Sequence, residues 1–275
     1  MDAIPFEFGT PGLPLIVVPV EVASREQVYA VVDTGAIAPF ALFMSEGLAA
    51  RLKLSLSAPV VPKNSVALGP NAVTYRTARL SRFRFGPVEL RDVEIAVSPV
   101  LDLLNGHLTK KADVIVGQHF LKGRVVSIDY RARSIDLTAA IPTTAKPVPM
   151  RPGNPFILVD AKLNGRGPFT MEIDTGATVT NLSPASARRA GVAARGSVTA
   201  HGAGGTLPAK IGRATIAFGP FRKKAQQVAI LDGLERISAA ARTPVDGIIG
   251  ASLFYGTRLT IDYPGSRLWV EPVAP

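Results

Sequence analysis

The chain has 275 residues, enough for one large or two ordinary domains with real cores, and with 47% hydrophobic and 19% charged residues it reads as folded rather than disordered. It has no cysteine, which excludes disulfides, thiolate nucleophiles and Cys-based metal sites. Its three histidines, His107, His119 and His201, fit no metal-ligand spacing, so no metal or cofactor is expected. The net charge is +10, but the basic residues are scattered and no aromatic-rich motif accompanies them, so a solvated basic surface is expected rather than a nucleic-acid site.

Gly 25 and Pro 23 together make up about one residue in six, above the usual background, and predict many turns, short strands and little helix. In chain order, residues 1–7 carry acids and a proline where a secretory leader would need a basic and an apolar stretch. The expectation is a protein kept inside the cell, or a periplasmic or exported one whose leader has been removed; the compartment stays open. No apolar run reaches the length of a transmembrane segment. Alternation at Val28, Ala30 and Val32 predicts a strand ending at Asp33, followed by a short helix over Ser45–Leu52. Residues 139–153 hold four prolines and no aromatic residue and read as an extended linker. After it, Asn164-Gly165 is a two-residue hairpin signal between two strands, the second leading through Phe169, Met171 and Ile173 into Asp174. Ser183–Ala190 is a second short helix, with a serine cap and a proline at its first position.

These elements come in pairs. Val31-Val32-Asp33-Thr34-Gly35-Ala36 recurs 141 residues later as Glu172-Ile173-Asp174-Thr175-Gly176-Ala177, and Pro14–Val18 falls on Pro155–Val159 at the same offset. Asp113-Val114-Ile115-Val116-Gly117 and Val126–Tyr130 recur at offset 133 as Asp246–Gly250 and Leu259–Tyr263. Copy one therefore holds eight extra residues after its Asp-Thr-Gly. Units this long are two copies of one small domain rather than a solenoid. The expected boundaries are a lobe over 1–140, a linker over 141–153 and a second lobe over 154–275.

A single Asp-Thr-Gly is a weak signal. Two, each after an apolar strand and each followed by an apolar-apolar-Gly triplet, suit a chemistry in which two carboxylates from different structural units meet and share one proton. The chain here resembles the aspartic protease superfamily, and within it the retropepsin-like members, many of them bacterial, that carry both lobes in one chain. The resemblance implies an all-β fold of two similar retropepsin/pepsin-like β-barrel lobes about a pseudo-two-fold axis. It also implies an aspartic endopeptidase acting on peptide or protein, with Asp33 and Asp174 as the catalytic pair.

Thr34 and Thr175 would then lock the pair across the lobe interface, Gly35 and Gly176 would permit the tight turns, and Thr178 would offer a hydroxyl to Asp174 that copy one, with Ile37, lacks. Two flaps, as in retroviral enzymes, are expected at Gly69, Pro70 and Asn71 and at His201, Gly202, Gly204 and Gly205, with Tyr75 a candidate substrate contact. The short tether favours a monomer whose lobes pair within one chain. A second reading is a non-catalytic peptide- or protein-binding module on the same fold. Asp113, Asp129, Asp246 and Asp262 also recur in register but read as caps and turn residues.

Overall fold

Short β-branched segments punctuated by glycine turns give strands whose alternate residues face inward, and the chain uses them twice in the same way. A computed structural model describes residues 3–62 and 66–273. In the first half, a seven-stranded sheet runs in the spatial order Glu7–Thr10, Leu13–Val22, Glu26–Val32, Val114–Val116, Leu42–Met44, Val88–Val97, Arg76–Phe85. Strand Leu13–Val22 pairs again with Arg76–Phe85 and so curls the sheet toward closure. The second half repeats six of these strands in the same order, all but Glu7–Thr10: Leu158–Leu163, Arg166–Asp174, Gly247–Gly250, Thr180–Leu182, Phe221–Ile230, Gly205–Phe218, closed by pairing of Leu158–Leu163 with Gly205–Phe218. It adds one outer strand, Gly196–Gly202.

A third, six-stranded sheet joins the halves: Ile4–Pro5, Ser134–Asp136, Val125–Asp129, Thr257–Asp262, Arg267–Pro272, Val148–Pro149. At its centre Ser127 pairs with Thr260, their hydroxyls 3.0 Å apart. These two residues are also each other's repeat equivalents, so the pseudo-two-fold axis passes between them. Interior residues of all three sheets form one continuous core that includes Phe83, Phe85, Phe169 and Phe254.

Both anticipated helices form, Glu46–Arg51 and Pro184–Arg189, each with its serine side chain accepting the capping bond. Asn164 and Gly165 adopt the positive φ values, 51° and 80°, that a tight hairpin turn needs. Two further paired helices, Val100–Asn105 and Glu235–Ala241, were not expected; at six and seven residues they are too short to show a helical period. The linker is extended, but its later part is not free: Val148 pairs with Leu268, and the Trp269 indole donates to the Ala145 carbonyl at 3.0 Å. Among the described residues no helix is long and apolar enough to cross a membrane.

Candidate active site

Each Asp-Thr-Gly sits where a strand leaves the sheet beside the apolar-apolar-Gly strand of its own lobe. Strand Glu26–Val32 runs parallel to Val114–Val116, and the Asp33 amide donates to the Val116 carbonyl at 3.0 Å; Arg166–Asp174 runs parallel to Gly247–Gly250, with Asp174 opposite Gly250. The glycines closing these strands let the Asp-Thr-Gly turns lie against them. A Cβ on Gly117 would stand 2.7 Å from the Ala36 carbonyl oxygen, and one on Gly250 would stand 2.4 Å from that of Val179.

The two turns interlock through their threonines. The Thr34 amide donates to the Thr175 hydroxyl and the Thr175 amide to the Thr34 hydroxyl, both at 3.0 Å. Each hydroxyl then donates onward across the interface, Thr34 to the Ile173 carbonyl at 2.9 Å and Thr175 to the Val32 carbonyl at 2.8 Å. Both threonines are fully buried, so this four-bond ring works in a low dielectric without competition from water.

The ring brings the aspartates together. Gly35 faces the Asp174 carboxyl so closely that a Cβ there would lie 2.5 Å from its Cγ, and Gly176 faces Asp33 with 2.4 Å in the same sense. The two carboxyls are within hydrogen-bonding reach of each other. Both residues are half-buried.

Their surroundings differ. Asp33 Oδ1 accepts the amides of Gly35 and Ala36 at 2.8 and 2.9 Å. Asp174 accepts the Gly176 amide at 2.7 Å, is further stabilised by the backbone of Ala177 and Gly35, and has the Asp33 side chain as a hydrogen-bond partner. Burial raises both carboxyls above the ordinary value. Asp33 is driven well above it, by desolvation first and then by the charge of Asp174. Two close carboxyls cannot both ionise readily, so the pair is suited to holding one proton jointly.

The segments expected as flaps meet each other. The Gly204 amide donates to the Leu68 carbonyl at 2.8 Å and the Asn71 amide to the Gly204 carbonyl at 3.0 Å, so the two tips are tied to each other. Arg236, on the second unexpected helix, donates to the Gly69 carbonyl at 3.0 Å. The His201 ring lies 4.5 Å, centroid to centroid, from that of His107 on the opposite lobe. The C-terminal candidate is a regular hairpin with Gly202 opposite Gly205, whereas the described residues of the N-terminal candidate show an isolated bridge, Val60 to Tyr75. Lys63, Asn64 and Ser65 of that loop lie outside the described residues.

Tyr75 stands at the base of its flap rather than the tip, its ring edge-on to Phe40 at 5.4 Å. Thr178 is near the pair in sequence, but its carbonyl accepts from Ser252 and its hydroxyl makes no hydrogen bond to Asp174. The loop after the turn carries it instead toward the strand below.

The other repeated acids are structural. Asp113 and Asp246 accept from Ser45 and Ser186 at the helix starts, while Asp129 and Asp262 pair with Arg258 and Arg267. Among the described residues no group of three or more potential ligands is gathered for a metal ion.

Sequence reasoning missed Glu172, which is buried with Oε2 unpartnered and held well above the ordinary carboxyl range by desolvation and by the charges of Asp174 and Asp33. The signal was present: an acid in an apolar strand, aligned with Val31 of the other copy.

A sequence model of one family, described as aspartyl protease, matches the chain over residues 18–120 and 159–253, one stretch in each half. No curated protein matches the chain.

Proposed function

This chain belongs to the aspartyl protease family, and from that premise we propose that it is an endopeptidase in which Asp33 and Asp174 activate a water molecule against an extended peptide held between the lobes. The observation that supports this most is the pair of reciprocal threonine bonds, because they fix two carboxyls from different lobes in one place with unequal environments.

In this reading the Asp174 carboxylate takes a proton from the water as its oxygen attacks the scissile carbonyl carbon, and Asp33 gives its proton to the carbonyl oxygen, forming a gem-diol. Asp174 then passes its proton to the amide nitrogen as the C–N bond breaks, while a diol hydroxyl returns a proton to Asp33. The products are a carboxylic acid and an amine, and the dyad again holds one proton. No nucleophilic side chain is consumed. The lobes pair within one chain, which makes the working unit a monomer, and the tied flap tips must part to admit substrate.

Asp33→Asn and Asp174→Asn should each lower kcat by at least about 10²- to 10⁴-fold, the usual worth of a positioned general acid or base, while leaving the fold intact. The assay is digestion of a peptide library below neutral pH, read by mass spectrometry. Undiminished cutting by both variants would end the proposal. A hydroxyl-bearing transition-state mimic should bind the wild type far more tightly than the matching peptide; equal binding would indicate a non-catalytic binding module.

A further inference from the structure

His107 and His201 come from opposite lobes and meet ring to ring, their centroids 4.5 Å apart and their planes tilted by 55°. Their spacing along the chain announces nothing of this. The fold brings together the turn after helix Val100–Asn105 and the tip of the C-terminal hairpin. Both side chains are exposed, and among the described residues neither ring is hydrogen-bonded to the protein. Two neighbouring imidazoles, each with a free lone pair, can serve one shared ligand.

The backbone is held on each side. The His107 amide donates to the Leu104 carbonyl at 2.9 Å, and the His107 carbonyl accepts from the Thr10 hydroxyl at 2.9 Å. His201 stands opposite Thr206 in the regular hairpin. The cations that follow His107 are engaged elsewhere: Lys110 pairs with Glu7 and lies over the Tyr29 ring, and Lys111 donates to the Asn105 carbonyl. At the repeat offset of 133 residues His201 falls on Leu68, which packs on an apolar cluster, so the fold does not require an imidazole at this place.

The spacing fits a metal ion. With metal–nitrogen bonds of about 2.1 Å each ring centre stands about 3.2 Å from the ion, and centres 4.5 Å apart then subtend about 90° at it. That is the cis angle of a tetragonal or octahedral ion, whereas a tetrahedral one would need the centres about 5.2 Å apart. Rotation about the outer torsion, which is soft in histidine, aims one nitrogen of each ring at the shared point. Water completes the coordination of a site as exposed as this one.

We propose that His107 and His201 form a two-imidazole site for a divalent copper or nickel ion, and that the bound ion latches the C-terminal hairpin to the N-terminal lobe. Copper should bind more tightly than nickel, following the usual order for nitrogen ligands, and magnesium, which prefers oxygen ligands, should not compete. The latch adds to the backbone ties at Gly204, because His201 and Gly204 belong to the same hairpin.

The test is calorimetric titration of the untagged chain with Cu(II) and with Ni(II) at pH 7.5, in the wild type, His107→Gln, His201→Gln and the control His119→Gln. The wild type should bind one equivalent, the first two variants should each weaken binding by about 10-fold or more, and the control should match the wild type. Electron paramagnetic resonance of the copper complex should show two imidazole nitrogens in the wild type and one in either variant. Bound nickel should slow hydrogen exchange at the Asn71 and Gly204 amides of the wild type and leave it unchanged in the variants. Thermal unfolding without metal checks that all variants fold.

No saturable copper binding by the wild type at about 100 μM overturns the inference. So does an affinity unchanged in either His107→Gln or His201→Gln, or an equal loss in His119→Gln. Binding through both histidines that leaves exchange unaltered overturns the latch. None of these readouts uses peptide cleavage, so the outcome is independent of the endopeptidase reading.

Discussion

A buried hydroxyl that accepts one bond and donates another cannot be removed cheaply. Thr34→Val leaves the Thr175 amide and the Ile173 carbonyl unpaired in the interior, at a cost of about 2–4 kcal/mol from two lost partners. The urea midpoint should fall accordingly, and activity should fall further than stability because the carboxyls lose their fixed separation. Gly35→Ala should be more severe for catalysis, since its Cβ would have to occupy space held by the Asp174 carboxyl.

The acids also set how stability depends on pH. Asp33, Asp174 and Glu172 all have folded values raised above the ordinary range, so the native state holds more protons than the unfolded one between the two values. The stability associated with them is complete below the unfolded value, about 4, and is lost as pH rises through the folded values. Asp33→Asn removes part of that loss. Its melting temperature should exceed the wild type's at pH 7 and converge with it near pH 4, as calorimetry at the two pH values would show.

At the scale of elements, the expected flap tips meet backbone to backbone, with the Arg236 side chain adding a bond to Gly69. A Cβ on Gly202 would come 2.2 Å from the Leu68 carbonyl oxygen, and one on Gly204 would come 2.5 Å from that of Asn71. Gly202→Ala should therefore hold the tips apart, speed hydrogen exchange at the Asn71 and Gly204 amides, and raise KM while the dyad stays as it is. Slowed exchange at those amides would contradict the tie between the tips.

What the sequence revealed at this scale followed from strength of pattern. The strands entering Asp33 and Asp174, the capped helices and the Asn164-Gly165 turn each carried a local signal that tertiary contacts left in force. The helices Val100–Asn105 and Glu235–Ala241 carried none, because two turns of helix show too little period. Arg236 went unnoticed with the second of them. The Thr178 hydroxyl, near Asp174 in sequence, makes no bond to it, and Tyr75 packs on Phe40, because nearness along a chain does not set where a side chain points once a loop bends. Glu172 was legible only by asking why one repeat has an acid where the other has valine.

For the whole molecule, the duplication makes the six-stranded sheet the joint between halves, with the symmetry axis between Ser127 and Thr260. The linker contributes to it only an edge strand, Val148–Pro149. Cutting an engineered protease site within residues 141–145 should therefore leave the halves associated and active in gel filtration, whereas each half expressed alone should show no activity until mixed with the other. Separation of the nicked halves without denaturant would show that the tether, and not the sheet, holds them.

The unlike flaps have a consequence of their own. An assembly with identical jaws offers a polypeptide the same welcome whichever end enters first. Here a regular hairpin in one half answers to a segment with an isolated bridge in the other, and Glu172 stands where its counterpart is Val31, so a strand held as proposed would meet different company at its two ends. On the proposed reading the groove between the lobes thereby has a direction, and the two polarities of a bound backbone are not equivalent.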